Sequence, residues 1–307
     1  MEDVLFKPEG MLIGSFENKD YTSSLNMLCK AKNANKTLEA RAVMCDSHHN
    51  LSVELGGIRA IIPREEAAIG INDGSVRDIA IISRVNKPVC FKILKIDKDD
   101  GVILSRRAAQ EECKANLLCT LKRGDIVDAV ITHLEPFGAF ADIGCGIVAL
   151  ITIDNISVSR ISHPSDRFVS GQKIKAVIKD IDYNLGRFNL SHKELLGTWE
   201  ENASKISAGQ TVAGAIRSIE NYGIFVELAP NLAGLAEYRD GLHIGQSAAV
   251  YIKSIIPEKM KVKLSIIDAF NNDFAPKNPE YFISGNNMNR WIYSPPQCPK
   301  IIETVFD

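Results

Sequence analysis

Asn221-Tyr222-Gly223-Ile224-Phe225-Val226-Glu227-Leu228 repeats an earlier stretch of the same chain, Pro136-Phe137-Gly138-Ala139-Phe140-Ala141-Asp142-Ile143, 85 residues on (140 to 225). The match continues to either side. Upstream, Arg123-Gly124-Asp125-Ile126-Val127 corresponds to Ala208-Gly209-Gln210-Thr211-Val212. Downstream, Ala149-Leu150 corresponds to Gly234-Leu235, and Gly186-Arg187-Phe188-Asn189-Leu190-Ser191 to Met260-Lys261-Val262-Lys263-Leu264-Ser265. A repeat of this length marks a domain that occurs more than once, so it decides the architecture before any single residue is interpreted. Positions that share hydrophobic alternation build the domain. An aromatic pair followed by a cation in both copies reads instead as a surface.

The chain has 307 residues, enough for two to three domains that each bury a core. Hydrophobic residues make up 45% and charged residues 24%, the proportions of a soluble globular protein. The start, Met1-Glu2-Asp3-Val4, lacks the basic and apolar regions of a signal peptide. No apolar run approaches the length of a membrane span. The seven cysteines are odd in number and never spaced as CxxC, and His48-His49 beside Cys45 is a poor match to structural zinc. Idle thiols in a reducing cytoplasm, with no metal or cofactor, are expected. A net charge of −2 excludes a nonspecific basic coat but not a local basic face.

Residues 1–36 are not strand-like; Asp20 to Ser24 caps a short helix carrying Leu25, Met27, Leu28 and Ala31. From Thr37 the pattern becomes short β-rich runs: Leu38 to Met44, Leu51 to Leu55, Ile58 to Ile62, Ile79 to Ser83, Val89 to Ile96 and Val102 to Ser105. Turns punctuate them at Gly56-Gly57, Asn72-Asp73-Gly74 and Asp97 to Gly101. This is a third, more diverged copy of the unit. The chain therefore divides into an N-terminal extension (1–36), a first unit (37–108), a linker helix (109–121), a second unit (122–192), a part-helical connector (193–205), a third unit (206–268) and an aromatic tail (269–307). The tail, with Tyr281, Phe282, Trp291 and Tyr293, is expected to pack on a barrel. In the second unit Ile126, Ile131, Leu134, Ile143, Leu150, Ile174, Val177, Ile181 and Leu190 read inward. Short strands with turn signals every eight to twelve residues, five per unit, give an all-β class of three tandem closed barrels. A five-stranded barrel of roughly 70 residues is an OB-fold, whose strand face binds oligonucleotides.

The run Gly124…Phe137-Gly138-Ala139-Phe140…Ala149-Leu150…His163-Pro164-Ser165…Gly171-Gln172-Lys173-Ile174…Ile181-Asp182…Gly186 to Ser191 resembles the S1-type RNA-binding domain. The third unit resembles it through Gly209, Tyr222-Gly223-Ile224-Phe225, Gly234-Leu235, Gly245-Gln246 and Lys261 to Ser265. The arrangement is similar to short members of the bacterial ribosomal protein S1 family. The resemblance implies a non-enzymatic protein that binds single-stranded RNA such as mRNA, with the small ribosomal subunit as a further partner. It maps the RNA face onto Phe137, Phe140, Asp182 and Arg187 in unit two, and onto Tyr222, Phe225 and Lys261 in unit three. The sequence departs from the family where Ile256 replaces Asp182, and where Thr152 and Glu237 stand in place of a frequent His. In unit one His49 and Ser52 replace the aromatic pair and Gly101 the late cation, so the same surface is not expected there.

The chemistry agrees with that mapping. Unpaired bases need flat π-surfaces, and the phosphate path needs cations. Alternation along a strand sends positions i and i+3 to opposite faces, which would bury one ring of each pair unless a bulge at the glycine realigns them. Gly138 and Gly223 are expected to remove a side chain that would shield the first ring. Lys179 and Lys253 are candidates for phosphate contact and His133 for contact with the RNA; His163 is expected to order its loop, and Trp199 to pin the connector. No catalytic constellation or phosphate-binding loop is present. The competing reading is a protein-interaction module that docks onto the ribosome or an RNA-processing or transcription complex.

Overall fold

Between Leu51 and Leu55 the burial alternates, with Leu51, Val53 and Leu55 inside and Glu54 outside, which is how a half-buried strand reads. The same alternation recurs along the chain and closes three five-stranded barrels. The computed structural model describes residues 6–97, 101–271 and 278–307. The chain forms two compact units. One runs up to Leu121 and takes in Asp128–Val130 and Asp142–Val148; the other comprises Lys122–Val127, Ile131–Ala141 and Ala149–Asp307.

Two short helices, α1 (Phe16–Tyr21) and α2 (Leu25–Asn33), open the chain, capped by Ser15 and Ser24. Barrel one is built from β1 (Leu38–Cys45), β2 (Leu51–Leu55), β3 (Ile58–Ile62), β4 (Pro88–Asp97) and β5 (Gly101–Ser105) in the order β1-β2-β3-β5-β4. Gly56 and Gly57 make the two-residue β2–β3 turn at φ of 54° and 84°, positive values that a type I′ hairpin demands of both positions. The strand expected over Ile79 to Ser83 is instead a helical turn, α3 (Ile79–Ile82), with Ile81 buried and Ile79 exposed. The barrel closes with five strands without it. The expected turn at Asp97 to Gly101 includes 98–100, which lie outside the described residues.

Within this first unit the N-terminal segment is held by buried carboxylates. Glu39 accepts the N–H groups of Leu12 and Ile13 at 2.7 and 2.6 Å, and that of Gly10. Glu9 receives Arg106 Nε at 2.7 Å and the Cys90 N–H at 3.1 Å. The linker helix α4 (Arg106–Thr120) is capped by the Ser105 hydroxyl and buries Ala109, Cys113 and Leu117.

Barrel two contains β6 (Ile126–Glu135), β7 (Gly138–Asp142), β8 (Val148–Thr152), β9 (Lys173–Asp182) and β10 (Arg187–Ser191), ordered β10-β8-β7-β6-β9. Ile131, Ile143, Ile174, Val177, Ile181 and Leu190 are buried as expected, but Ile126, Leu134 and Leu150 are half-exposed. Leu150 in particular sits on the outer wall. The connector makes a short turn at Lys193–Leu196 and helix α5 (Trp199–Ala203), whose Trp199 is buried in the core of barrel three.

Barrel three consists of β11 (Thr211–Glu220), β12 (Gly223–Ala229), β13 (Leu232–Ala236), β14 (Ser247–Ile256) and β15 (Lys261–Phe270), ordered β11-β12-β13-β15-β14. The tail packs on both neighbouring barrels. Its hairpin, β16 (Arg290–Ile292) and β17 (Glu303–Val305), places Trp291 and Tyr293 in the core of barrel three, while Phe306 joins Val177 of barrel two and Leu195 of the connector.

Candidate nucleic-acid interface

Phe137 and Tyr222 fall in the turns just before β7 and β12, so the alternation of a strand does not constrain them. Each ring stands edge-on to its partner three residues later. Phe137 and Phe140 have centroids 6.0 Å apart at 88°, and Tyr222 and Phe225 6.2 Å apart at 87°. The outer rings are open, Phe137 at 55% and Tyr222 at 70% exposure, while Phe140 and Phe225 are half-buried. Neither ring of either pair is swallowed by a barrel interior.

The glycine between them does a different job from the one expected. A Cβ on Gly138 would lie 2.4 Å from the Ile151 carbonyl oxygen, and one on Gly223 2.5 Å from that of Ala236. Glycine here lets the third strand of the barrel approach. In barrel two that approach allows the Ile153 N–H to donate to the Phe137 carbonyl at 2.9 Å, which holds the loop bearing the outer ring. The bulge also lies elsewhere, on β11 between Ile216 and Ser218, opposite Val226 and Phe225.

Strand pairing shows what flanks each ring. Ser218 pairs with Phe225, Phe225 with Leu235, Leu235 with Lys263 and Lys263 with Ser254, one continuous outward row across barrel three. Lys263 is exposed. The repeat puts Phe140, Leu150 and Asn189 in the corresponding places of barrel two, where Asn189 pairs with Leu150. Lys263, Leu235 and Leu150 escaped the sequence reading, although Lys263 is two residues beyond Lys261 and therefore on the same face of its strand. His133 takes the place of Ser218; its ring lies nearly parallel to Phe140 at 6.5 Å, and its Nε2 is 2.6 Å from Glu135 Oε1.

Arg187 and Lys261 both begin the last strand of their barrels, exposed and without an ion-pair partner among the described residues. Asp182, opposite Arg187 in the ladder, accepts the N–H groups of Asn184 and Leu185 at 3.0 and 2.9 Å. It shapes the β9–β10 turn. In barrel three Ile256 occupies that place and the turn is closed by Met260 in the left-handed region, at φ 47°. Lys179 and Lys253 reach the end of the third strand in their own barrels: Lys179 Nζ donates to Asn155 Oδ1 at 2.9 Å, and Lys253 Nζ meets Glu237 Oε1 at 2.8 Å, which lowers the Glu237 carboxyl. His163 orders its loop as expected, its Nδ1 accepting the Ser165 N–H at 3.1 Å.

Barrel one presents another surface. The bulge of β1 between Ala42 and Met44 aligns Ser52 with Phe225 and His49 with Tyr222. The outward row there is Met44, Ser52, Ile61, Ile103 and Lys95, with a hydroxyl in the place of the Phe225 ring and isoleucine in the place of Lys263. His49 lies 3.6 Å from Asp78, which also pairs with Arg64 at 2.7 Å.

Barrels two and three are joined by a buried ion network that the sequence did not signal. Glu227 receives Arg217 Nε at 2.8 Å and also pairs with Arg167, while Arg217 Nη1 lies 3.2 Å from Asp166. Asn231, fully buried, accepts the Val158 N–H at 3.0 Å and donates to the Lys193 and Gly197 carbonyls at 2.7 and 2.8 Å. The Tyr293 hydroxyl of the tail donates to the Asn231 carbonyl at 2.7 Å. The two aromatic faces thus sit on one braced body. No group of three or more His, Cys, Asp or Glu among the described residues could hold a metal.

Residues 32–107 and 120–193 match the S1 RNA binding domain family. These segments are barrels one and two, and barrel three shares their strand pairing and the repeated motif. The curated protein Small ribosomal subunit protein bS1 of Rhizobium meliloti is 29% identical over 74% of this chain and 43% of its own length. The bS1 homolog of Bacillus subtilis is 33% identical over 61% of this chain and 50% of its length. For the Staphylococcus aureus bS1 the values are 30%, 73% and 60%. The chain spans about half the length of these relatives. On the two matched segments and the repeated motif, the chain carries S1 RNA-binding domains, and it resembles the bacterial ribosomal protein S1 family.

Proposed function

We propose that this protein binds single-stranded RNA, mRNA in particular, through barrels two and three, and acts without catalysis in translation at the small ribosomal subunit of the cytoplasm. The observation that carries this reading is the same unit occurring twice: an open ring, a half-buried ring edge-on to it, and a cation at the start of the last strand. An open ring accepts a base by stacking, worth on the order of 1–3 kcal/mol per base. Arg187, Lys261 and Lys263 supply charge for phosphates, and Lys179 and Lys253 stand beside the third strand. Two barrels fixed on one body add their contacts without the entropy cost of ordering a flexible linker. The acidic net charge does not oppose this, because stacking contributes affinity independently of charge.

Titration of labelled single-stranded RNA against wild type and a Phe137→Ala/Tyr222→Ala variant tests the proposal. Affinity should fall by about tenfold or more, the equivalent of one lost stack. Equal affinities with an intact fold would remove the platform. The outward row of barrel one, which has no aromatic ring and carries isoleucine in the place of Lys263, favours a second role for the N-terminal third, as a protein-docking module. For that barrel, RNA affinity should be indifferent to His49→Ala.

A further inference from the structure

Between the 153–161 segment of barrel two and the C-terminal hairpin lies a cavity of about 390 Å³, a size that suits a small ligand. It begins at Ile153, whose N–H holds the Phe137 carbonyl, so it continues directly from the loop that carries the outer ring of barrel two. Its walls carry Asp154, Arg160, Lys193, Trp291 and Glu303.

Three of these side chains have binding capacity left over. Trp291 is only 6% exposed, yet its indole Nε1–H has no acceptor among the described residues. Buried donors are normally paired, and indole nitrogen can only donate. Arg160 is exposed and has no ion-pair partner among the described residues. Lys193 gives one hydrogen to the Asp154 carbonyl at 3.1 Å, and its charge also helps to hold the Asp154 carboxyl ionised. The acids differ. Glu303 is engaged by Arg290 at 2.8 Å, whereas Asp154 is exposed and held ionised by the Thr152 hydroxyl at 2.5 Å. The wall therefore offers two cations, one buried donor and one carboxylate acceptor. An unpaired nucleotide presents the matching set: a phosphate, carbonyl or ring-nitrogen acceptors, and a base-edge N–H.

We propose that this cavity takes one unpaired nucleotide of the strand held on Phe137, with Arg160 and Lys193 on its phosphate, the Trp291 indole N–H on a base or ribose acceptor, and Asp154 on a base N–H. The inference rests on the RNA-binding reading and adds a site off the barrel face, built partly from the tail. It makes the tail a part of the RNA surface as well as a strap.

The full-length protein is irradiated with an oligouridylate of about 16 nucleotides carrying 4-thiouridine, long enough for the larger single-barrel footprints. Crosslinked peptides are mapped by mass spectrometry, and affinities are measured for wild type, Trp291→Phe and Arg160→Ala. Trp291→Phe keeps a ring in the core while removing the donor; Arg160→Ala changes only an exposed side chain and keeps the test valid if the first variant misfolds. Crosslinks within 153–161 or on the 290–304 hairpin, with affinity lowered about threefold to tenfold, support the site. Crosslinks confined to the Phe137 and Tyr222 loops, with unchanged affinity in both variants, overturn it and leave the RNA-binding reading standing. No binding by wild type overturns both.

Discussion

Arg167 of barrel two and Glu227 of barrel three form an ion pair in which both side chains are almost wholly buried, 7% and 5% exposed. Arg217 reaches the same carboxylate from the bulge of β11. Two guanidinium groups around one carboxylate set an order of cost. Removing Arg167 leaves Glu227 still paired with Arg217, while removing Glu227 leaves two buried cations facing each other. Burial already lowers the Arg167 guanidinium. Glu227→Ala should therefore cost about 3–5 kcal/mol, and Arg167→Ala distinctly less, in denaturant unfolding. Equal costs would mean that the carboxylate is not the hub of the network.

The glycines that open β7 and β12 are a sharper test of the face. A methyl group on Gly138 must displace the Ile151 carbonyl, and the third strand with it. Gly138→Ala should destabilise by about 1–3 kcal/mol and weaken RNA binding together. Gly14→Ala, where nothing lies within 4 Å of the added atom, should be close to neutral. If Gly138→Ala is also neutral, the close approach of the strands is not what the glycine provides.

The repeat itself was readable because three barrels share one alternation and one set of turns, so hydrophobic period and glycine spacing coincided. The run Ile79 to Ser83 misled for a physical reason: an apolar stretch of that length suits a buried strand or a single helical turn equally, and only the closed barrel decides between them. The aromatic pairs were visible as residue types, but their geometry was not. Phe137 lies outside the strand, and the bulge is on a different strand from the one carrying the motif. Lys263 was within reach, since a cation two residues beyond Lys261 shares its face. The Arg167–Glu227 brace was out of reach, because nothing local in a chain distinguishes an arginine that will be buried against a carboxylate 60 residues away.

His192 gives the second unit a pH dependence. Its ring is buried, with Nδ1 3.1 Å from the Ile156 carbonyl, Nε2 3.3 Å from the Tyr281 hydroxyl, and the positive charge of Arg167 nearby. Burial first, and then that charge, push the imidazole from 6.5 down to about 4. The unfolded chain takes up a proton near pH 6.5 and the folded one only near pH 4, so between these values the unfolded state binds more protons and stability rises with pH. The contribution is complete above pH 6.5 and falls away as pH drops toward 4, amounting to roughly 3 kcal/mol. Asp142 in the first unit runs the other way: burial and Glu9 push its carboxyl up to about 7, so its contribution improves as pH falls from there. Comparison of wild type with His192→Gln isolates the histidine. The variant should lose the acid-side slope, and two parallel stability–pH curves would show that His192 titrates normally in the fold.

Lys263 and Asn189 hold the same position in barrels three and two, each in line with a half-buried ring. If phosphates run along that row, barrel three meets one with a charge and barrel two with a neutral amide. Lys263→Ala should then weaken binding to single-stranded RNA and lower the logarithmic salt slope by about 0.7, the loss of one phosphate contact. Asn189→Lys should do the opposite, strengthening binding at low salt and steepening the slope by about the same amount. Both positions are on the outer wall, so neither change should disturb the core, and melting curves should superpose on wild type. The pair of slopes measures the path of the backbone: a response at 263 alone places the phosphates on barrel three, and no response at either site directs the backbone along Arg187 and Lys261 instead.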